Sequence, residues 1–394
     1  MGVMADLLER LGWGADLIIR TLPSRQQGQF LFLNMISGTY FNAPSIEAAT
    51  PKHHSLASYT PSWSGFLAGK LWLLYDLTGE ERFRNAAVDV TLRTGDTADI
   101  VNVDTSFAVY HSACLGYQLT ANADFLPIIE RGVASFTRLY NEDFAGLMIG
   151  TPDRKHTPYQ TLRPLHEMEF IIDNGEVMDL LWWAGRGNPR YRTMARNTVT
   201  KLAQLGFVKP DGSTYQCLGL DPETFQPLEF YTRQGYSDDS CWARGQAWAM
   251  ISFSTAYEAT GDELFLHAAT RTADWYVENI PDDHIPFYDF DDPRIPQVAR
   301  DTSAVVIACC ALSMLKRWLP ERAERYQQVI DASAEQILDR YLTPGGVLMG
   351  GSWGSLLRPD PPEVVMPYGN YYIVELVHRE LKPDSGLFSF RTPL

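Results

Sequence analysis

The chain has 394 residues, 45% of them hydrophobic and 21% charged, which is ordinary for a globular protein and enough for two domains or one large helical toroid. A formal net charge of −15 excludes nucleic acid and long anionic polymers as partners, because both are repelled; a small acidic ligand still fits where basic groups gather locally. The 19 Tyr, 19 Phe and 10 Trp suit sugar binding and a large core equally.

Residues 2–21 read as an amphipathic helix with acidic residues. The segment lacks a basic start, a continuous apolar run and a small-residue cleavage site, so it does not read as a secretory signal. No apolar run approaches the ~20 residues of a membrane span. Cys114, Cys217, Cys241, Cys309 and Cys310 are odd in number, show no C-x-x-C spacing and fall mostly in apolar helical runs. Reduced thiols in a cytoplasmic protein are therefore expected.

After an irregular lead-in to about residue 59, more apolar helices are predicted at about 60–78, 104–120, 172–184, 240–258, 301–317 and 368–381. Helices with spaced charges alternate with them, at about 80–93, 123–139, 189–205, 262–279 and 321–341. An echo joins each pair: a helix end with Tyr, a short turn, then an aromatic opening the next helix. Its clear copies are Leu74–Phe83, Gly116–Phe125 and Ala256–Phe265, with weaker ones at Trp182–Tyr191 and Lys316–Tyr326. The unit is a helical hairpin. Strand-like runs are scarce and there is no βαβ rhythm.

If the hairpins are parallel units, every inner helix enters from one end. Trp63 lies 12 residues before Tyr75, Asp104 lies 13 before Tyr117 and Arg244 lies 13 before Tyr257. Asp173 and Asp301 also begin inner helices. These five residues are expected around one mouth.

The segment Gln234–Trp248 reads as a turn, helix-start material at Asp238-Asp239-Ser240, and then a helix. Arg244 and Trp248 stand four residues apart on one face, a guanidinium beside an indole, which suits an anionic sugar. The same two residues also fit a buried Trp with a structural Arg. Gln234, just ahead of the helix, reads equally as a polar sugar contact or a turn cap. Asp104 and Asp173 carry the same ambiguity, since Asp is a preferred N-cap and Asp173-Asn-Gly-Glu176 matches a capping box. Against capping, Ile171-Ile172 and the apolar helix desolvate Asp173, and two facing carboxyls resist ionising together, which keeps one protonated as a general acid.

The whole Gln234–Trp248 string resembles the signature helix of the unsaturated glucuronyl hydrolases, glycoside hydrolase family 88. Trp63–Trp72, Arg300–Ala304 and Tyr368–Tyr372 resemble further blocks in the same order, with Asn370 in an acidic slot. The resemblance covers roughly residues 60 to 380. It implies one (α/α)6 barrel over 1–394 (helix 2–21 as sixth outer partner) and removal of a terminal 4,5-unsaturated uronic acid from lyase-generated oligosaccharides. It further implies Asp173 as general acid/base, Asp104 as second carboxylate, and Gln234, Arg244, Trp248 and Trp63 as substrate-binding residues. No metal or organic cofactor is required, in keeping with scattered histidines that show no ligand spacing.

The match departs at Val103 and Gln216, where relatives carry His, and in the loop 150–158, which lacks an expected Trp. The particular disaccharide is therefore open. Alternatives are an unsaturated rhamnogalacturonyl hydrolase of the same fold, a sugar 2-epimerase, for which paired histidines at inner-helix starts are missing, and an inactive carbohydrate-binding protein.

Overall fold

The computed structural model describes residues 2–35, 37–44, 61–148, 166–354 and 363–391. His53, His54, His156 and the loop 150–158 lie outside the described residues.

Six inner helical segments close a ring. They are α2 (Ser64–Thr78); α4 (Asp104–Val109), continued through a π-helical turn at Tyr110–Cys114 into α5 (Leu115–Thr120); α7 (Asp179–Ala184); α9 (Ala243–Thr260); α11 (Thr302–Trp318); and α13 (Pro367–Leu381). Each packs on the next, with the 3-10 turns at Ile172–Asn174 and Glu176–Met178 that lead into α7 making the contact to α9, and α13 packs back on α2. The outer ring is α3 (Glu81–Thr94), α6 (Leu126–Phe136), α8 (Pro189–Gln204), α10 (Glu263–Asn279), α12 (Ala323–Gln336) and α1 (Gly2–Thr21), which lies on α13. The (α/α)6 barrel follows from the apolar pattern. Residues 64–74 of α2 and 302–315 of α11 are buried on every side, whereas α3 and α10 bury a single stripe. The five cysteines are buried free thiols, and no helix among the described residues is long and apolar enough to cross a membrane.

The echo has a defined physical basis. Gly79, Ala121 and Gly261 close α2, α5 and α9 in the left-handed conformation, each donating its N–H to the carbonyl of Tyr75, Tyr117 or Tyr257. Asn122 and Asp262 then cap the following turns through their side chains, and Phe83, Phe125 and Phe265 are fully buried.

Two expectations are corrected. The helix α9 starts at Ala243, and Asp238-Asp239-Ser240 lies in the turn before it. There Asp238 accepts the Thr232 N–H at 3.0 Å and the Ser240 hydroxyl donates to Asp289 at 2.7 Å. The expected helix 172–184 is α-helical only in α7, after two 3-10 turns at Ile172–Asn174 and Glu176–Met178. Gly175 joins those turns, because a Cβ there would stand 2.5 Å from the Ser252 Cβ of α9.

A three-stranded antiparallel sheet of β5 (Met168–Ile171), β6 (Cys217–Leu220) and β7 (Pro227–Tyr231) was not foreseen. Ile171 pairs with Cys217, and Cys217 pairs with Tyr231. The end of β5, the start of β6 and the end of β7 therefore share one edge. Asp173, Gln216 and Gln234 all leave the sheet there.

Candidate active site

The mouth is assembled from helix N-termini and that sheet edge. The Trp63 indole N–H hydrogen-bonds the Asp104 carboxylate. The Trp63 ring lies 5.4 Å from Trp353 and edge-on to Tyr368 at 5.7 Å. Asp104 does not cap its helix: Asn102 does so, accepting the Asp104 N–H at 3.1 Å. Asp173 is half-buried and sits in a 3-10 turn, its Oδ2 sealed from solvent and without a hydrogen-bond partner among the described residues. The capping-box reading fails here, since the Glu176 side chain reaches across the barrel to accept the Tyr372 hydroxyl.

Arg244 is buried in the wall. Its Nη1 donates to Asp301 Oδ2 and, at 2.6 Å, to the Ser352 carbonyl, while the guanidinium lies 4.5 Å from the Trp242 ring and 5.2 Å from Tyr368. Asp301 is a true N-cap as well, accepting the Ser303 N–H at 3.1 Å. Trp248, one turn deeper, stacks on Phe107 at 6.1 Å and meets Tyr368 and Tyr372 edge-on. Gln234 is half-buried at the rim, its amide donating to the Trp353 carbonyl at 3.1 Å. Below, Phe66, Phe107, His111, Tyr371 and Tyr372 fill the axis.

Burial sets the electrostatics. It pushes the Asp173 carboxyl from 3.8 up to about 6, with Arg244 and Arg233 pulling down and Asp104 adding a smaller upward push. Burial likewise raises Asp104 to about 6 against the Trp63 hydrogen bond. The like-charge coupling anticipated between the two is present but secondary. His111, far from acting as a base, is pushed down to about 3 by burial among aromatic rings. Among the described residues no three His, Cys, Asp or Glu side chains group as a metal site.

No family model matches the chain. It is 27% identical over 391 residues to an unsaturated chondroitin disaccharide hydrolase of Streptococcus pneumoniae strain R6, covering 95% of this chain and 92% of that protein. It is 29% identical over 330 residues to an unsaturated glucuronyl hydrolase of Bacillus sp. strain GL1, covering 80% and 85%. The crystal structure of unsaturated glucuronyl hydrolase from Bacillus sp. GL1 superposes with a TM-score of 0.81 at 24% identity, over 99% of both chains. The chain is thus similar along most of its length to unsaturated glucuronyl hydrolases and shares their fold.

Beside Asp173, one face of the sheet carries polar residues that sequence reasoning missed. The odd-numbered positions Glu169, Tyr231 and Arg233 form a triad in which the Tyr231 hydroxyl and the Arg233 guanidinium both donate to the buried Glu169 carboxylate. Further out on that face His166 pairs with Glu229 at 2.9 Å, lying across Gly219, where a Cβ would stand 2.4 Å from the imidazole. The even face packs Phe170 and Phe230 against Phe207 in the hydrophobic core. Period-two alternation over 168–171 and 227–231 was the available signal. Val103 is half-buried beside Asp104. A groove of about 880 Å³, lined by Asp76, Tyr117, Arg186 and Lys382 among others, opens at the C-terminal ends of the inner helices, away from these carboxylates.

Proposed function

We propose that this protein removes the terminal 4,5-unsaturated uronic acid from lyase-generated oligosaccharides by hydrating the C4=C5 vinyl ether, with Asp173 as general acid and base. One observation carries the assignment: Asp173 is a solvent-shielded carboxyl at the barrel mouth whose pKa, near 6, suits proton donation at neutral pH. Its proton goes to C4, and the ring oxygen stabilises the cation left at C5. Water adds at C5 and returns a proton to the Asp173 carboxylate. The hemiketal opens, and the linkage to the remaining sugar breaks.

Asp104, oriented by Trp63, keeps negative charge beside Asp173 and disfavours its early ionisation. Arg244, with its charge held in the wall by Asp301, offers a fixed cation to the uronate carboxylate. Trp63 and Trp248 supply apolar walls to the sugar ring, and Gln234 a polar contact.

The test is a panel of lyase-generated disaccharides followed by the ultraviolet absorbance of the C4=C5 bond, with the saturated counterparts as controls. Loss of absorbance, no cleavage of saturated uronides, and solvent deuterium on C4 of the product are expected. Cleavage without deuterium on carbon excludes protonation at C4.

A further inference from the structure

Gln216 immediately precedes β6 and is buried at 4% exposure. Its Oε1 collects three donors: the Thr232 hydroxyl at 2.7 Å, the Arg233 backbone N–H at 2.7 Å and the Gln234 backbone N–H at 2.9 Å. Three donors converge only on an acceptor, so this amide has one orientation, and its Nε2 points the other way. There it donates to the Gln234 Oε1 at 2.7 Å. The polarity of the second amide is thereby fixed in turn. The oxygen of Gln234 is consumed, and its NH2 group is the end that donates, as it does to the Trp353 carbonyl.

We propose that Gln216 is a positioning residue that locks the 232–234 turn and the polarity of the Gln234 amide, so that Gln234 meets the bound sugar as a hydrogen-bond donor. The inference rests on the functional reading above and bears on its ligand chemistry: a donor at this rim position needs an acceptor, and a uronate carboxylate accepts more strongly than a neutral hydroxyl because the bond is charge-assisted. The same clamp fixes the backbone of Arg233, whose side chain is held by Glu169, so one buried amide organises two donor-bearing neighbours of Asp173.

Gln216→Glu tests this. It keeps the oxygen that gathers three donors and replaces the donating NH2 with an acceptor, which forces Gln234 to turn its NH2 inward and its oxygen outward. Binding of an unsaturated uronyl disaccharide is read from the fluorescence of Trp63, Trp248 and Trp353 in an Asp173→Asn background, separately from turnover. A rise in Kd of at least about tenfold is expected, as for a hydrogen bond to a charged group. That rise should vanish when Gln234→Ala is added, because Gln216 acts through Gln234. Gln216→Met, which brings no charge, should show the same dependence on Gln234. An equal rise in both backgrounds, or no rise in either, overturns the proposal. If the unaltered protein binds the disaccharide but leaves its absorbance intact, the failure falls on the hydration reading alone.

Discussion

Replacing Asp173 with Asn should make the protein more stable while disabling it, and the gain should depend on pH. The carboxyl is raised from 3.8 to about 6 in the folded protein, chiefly by burial. A carboxyl whose folded pKa exceeds its unfolded one contributes stability below the unfolded value and loses it as pH rises through the folded value. At 1.36 kcal/mol per unit, this shift amounts to about 3 kcal/mol, and partial exposure of the residue reduces that to about 1–3 kcal/mol. Asn has the same shape and never ionises, so it avoids this cost. For a chain of this length, that corresponds to a rise in Tm of about 1–4 °C at pH 7.5 and almost none at pH 3.5. Calorimetry at both pH values gives the stability, and ultraviolet turnover should fall by at least ~10². A gain of equal size at both pH values, or none at pH 7.5, refutes the burial argument; near-normal turnover by the folded variant refutes the catalytic role.

Arg244→Lys keeps the charge but loses the planar guanidinium, whose Nη1 serves both Asp301 and the Ser352 carbonyl, so KM should rise by the equivalent of about 1–3 kcal/mol; an unchanged KM makes the Arg purely structural. Trp63→Phe removes the N–H that holds the Asp104 pKa down, so the acidic limb of the pH profile of kcat/KM should move to higher pH, and a stationary limb contradicts the contact. Ala121→Gly relieves a left-handed alanine at φ 53 and should stabilise the protein by about 0.5–1 kcal/mol in denaturant titration, with activity unaltered; a loss of stability would show that Ala121 packing outweighs its backbone cost.

Three of the hairpins were legible because each repeats a local device: a left-handed cap, a polar start and a buried Phe, all within ten residues. The gathering of Trp63, Asp104 and Arg244 at one end follows from counting back along those repeats, and that of Asp173 and Asp301 from their places ahead of inner helices. The sheet was not legible, since its strands have four or five residues and the first stands far from the other two in the chain, which leaves local periodicity too little length. With the sheet went Glu169, Tyr231, Arg233 and the clamp at Gln216. Glu176 misled for a different reason. Its spacing from Asp173 fits a capping box, but a partner nearly two hundred positions away, Tyr372, outcompetes the local backbone.

The aromatic plug beneath Trp248 has a consequence for how a polymer meets this site. Phe66, Phe107, His111, Tyr371 and Tyr372 are almost wholly buried and pack ring against ring below Trp248. On the proposed function, an oligosaccharide presents its unsaturated terminal residue to Asp173 from the mouth above these rings. Each lyase-generated oligosaccharide offers one unsaturated end on that reading, so the number of such ends, rather than the mass of sugar, sets the turnover expected.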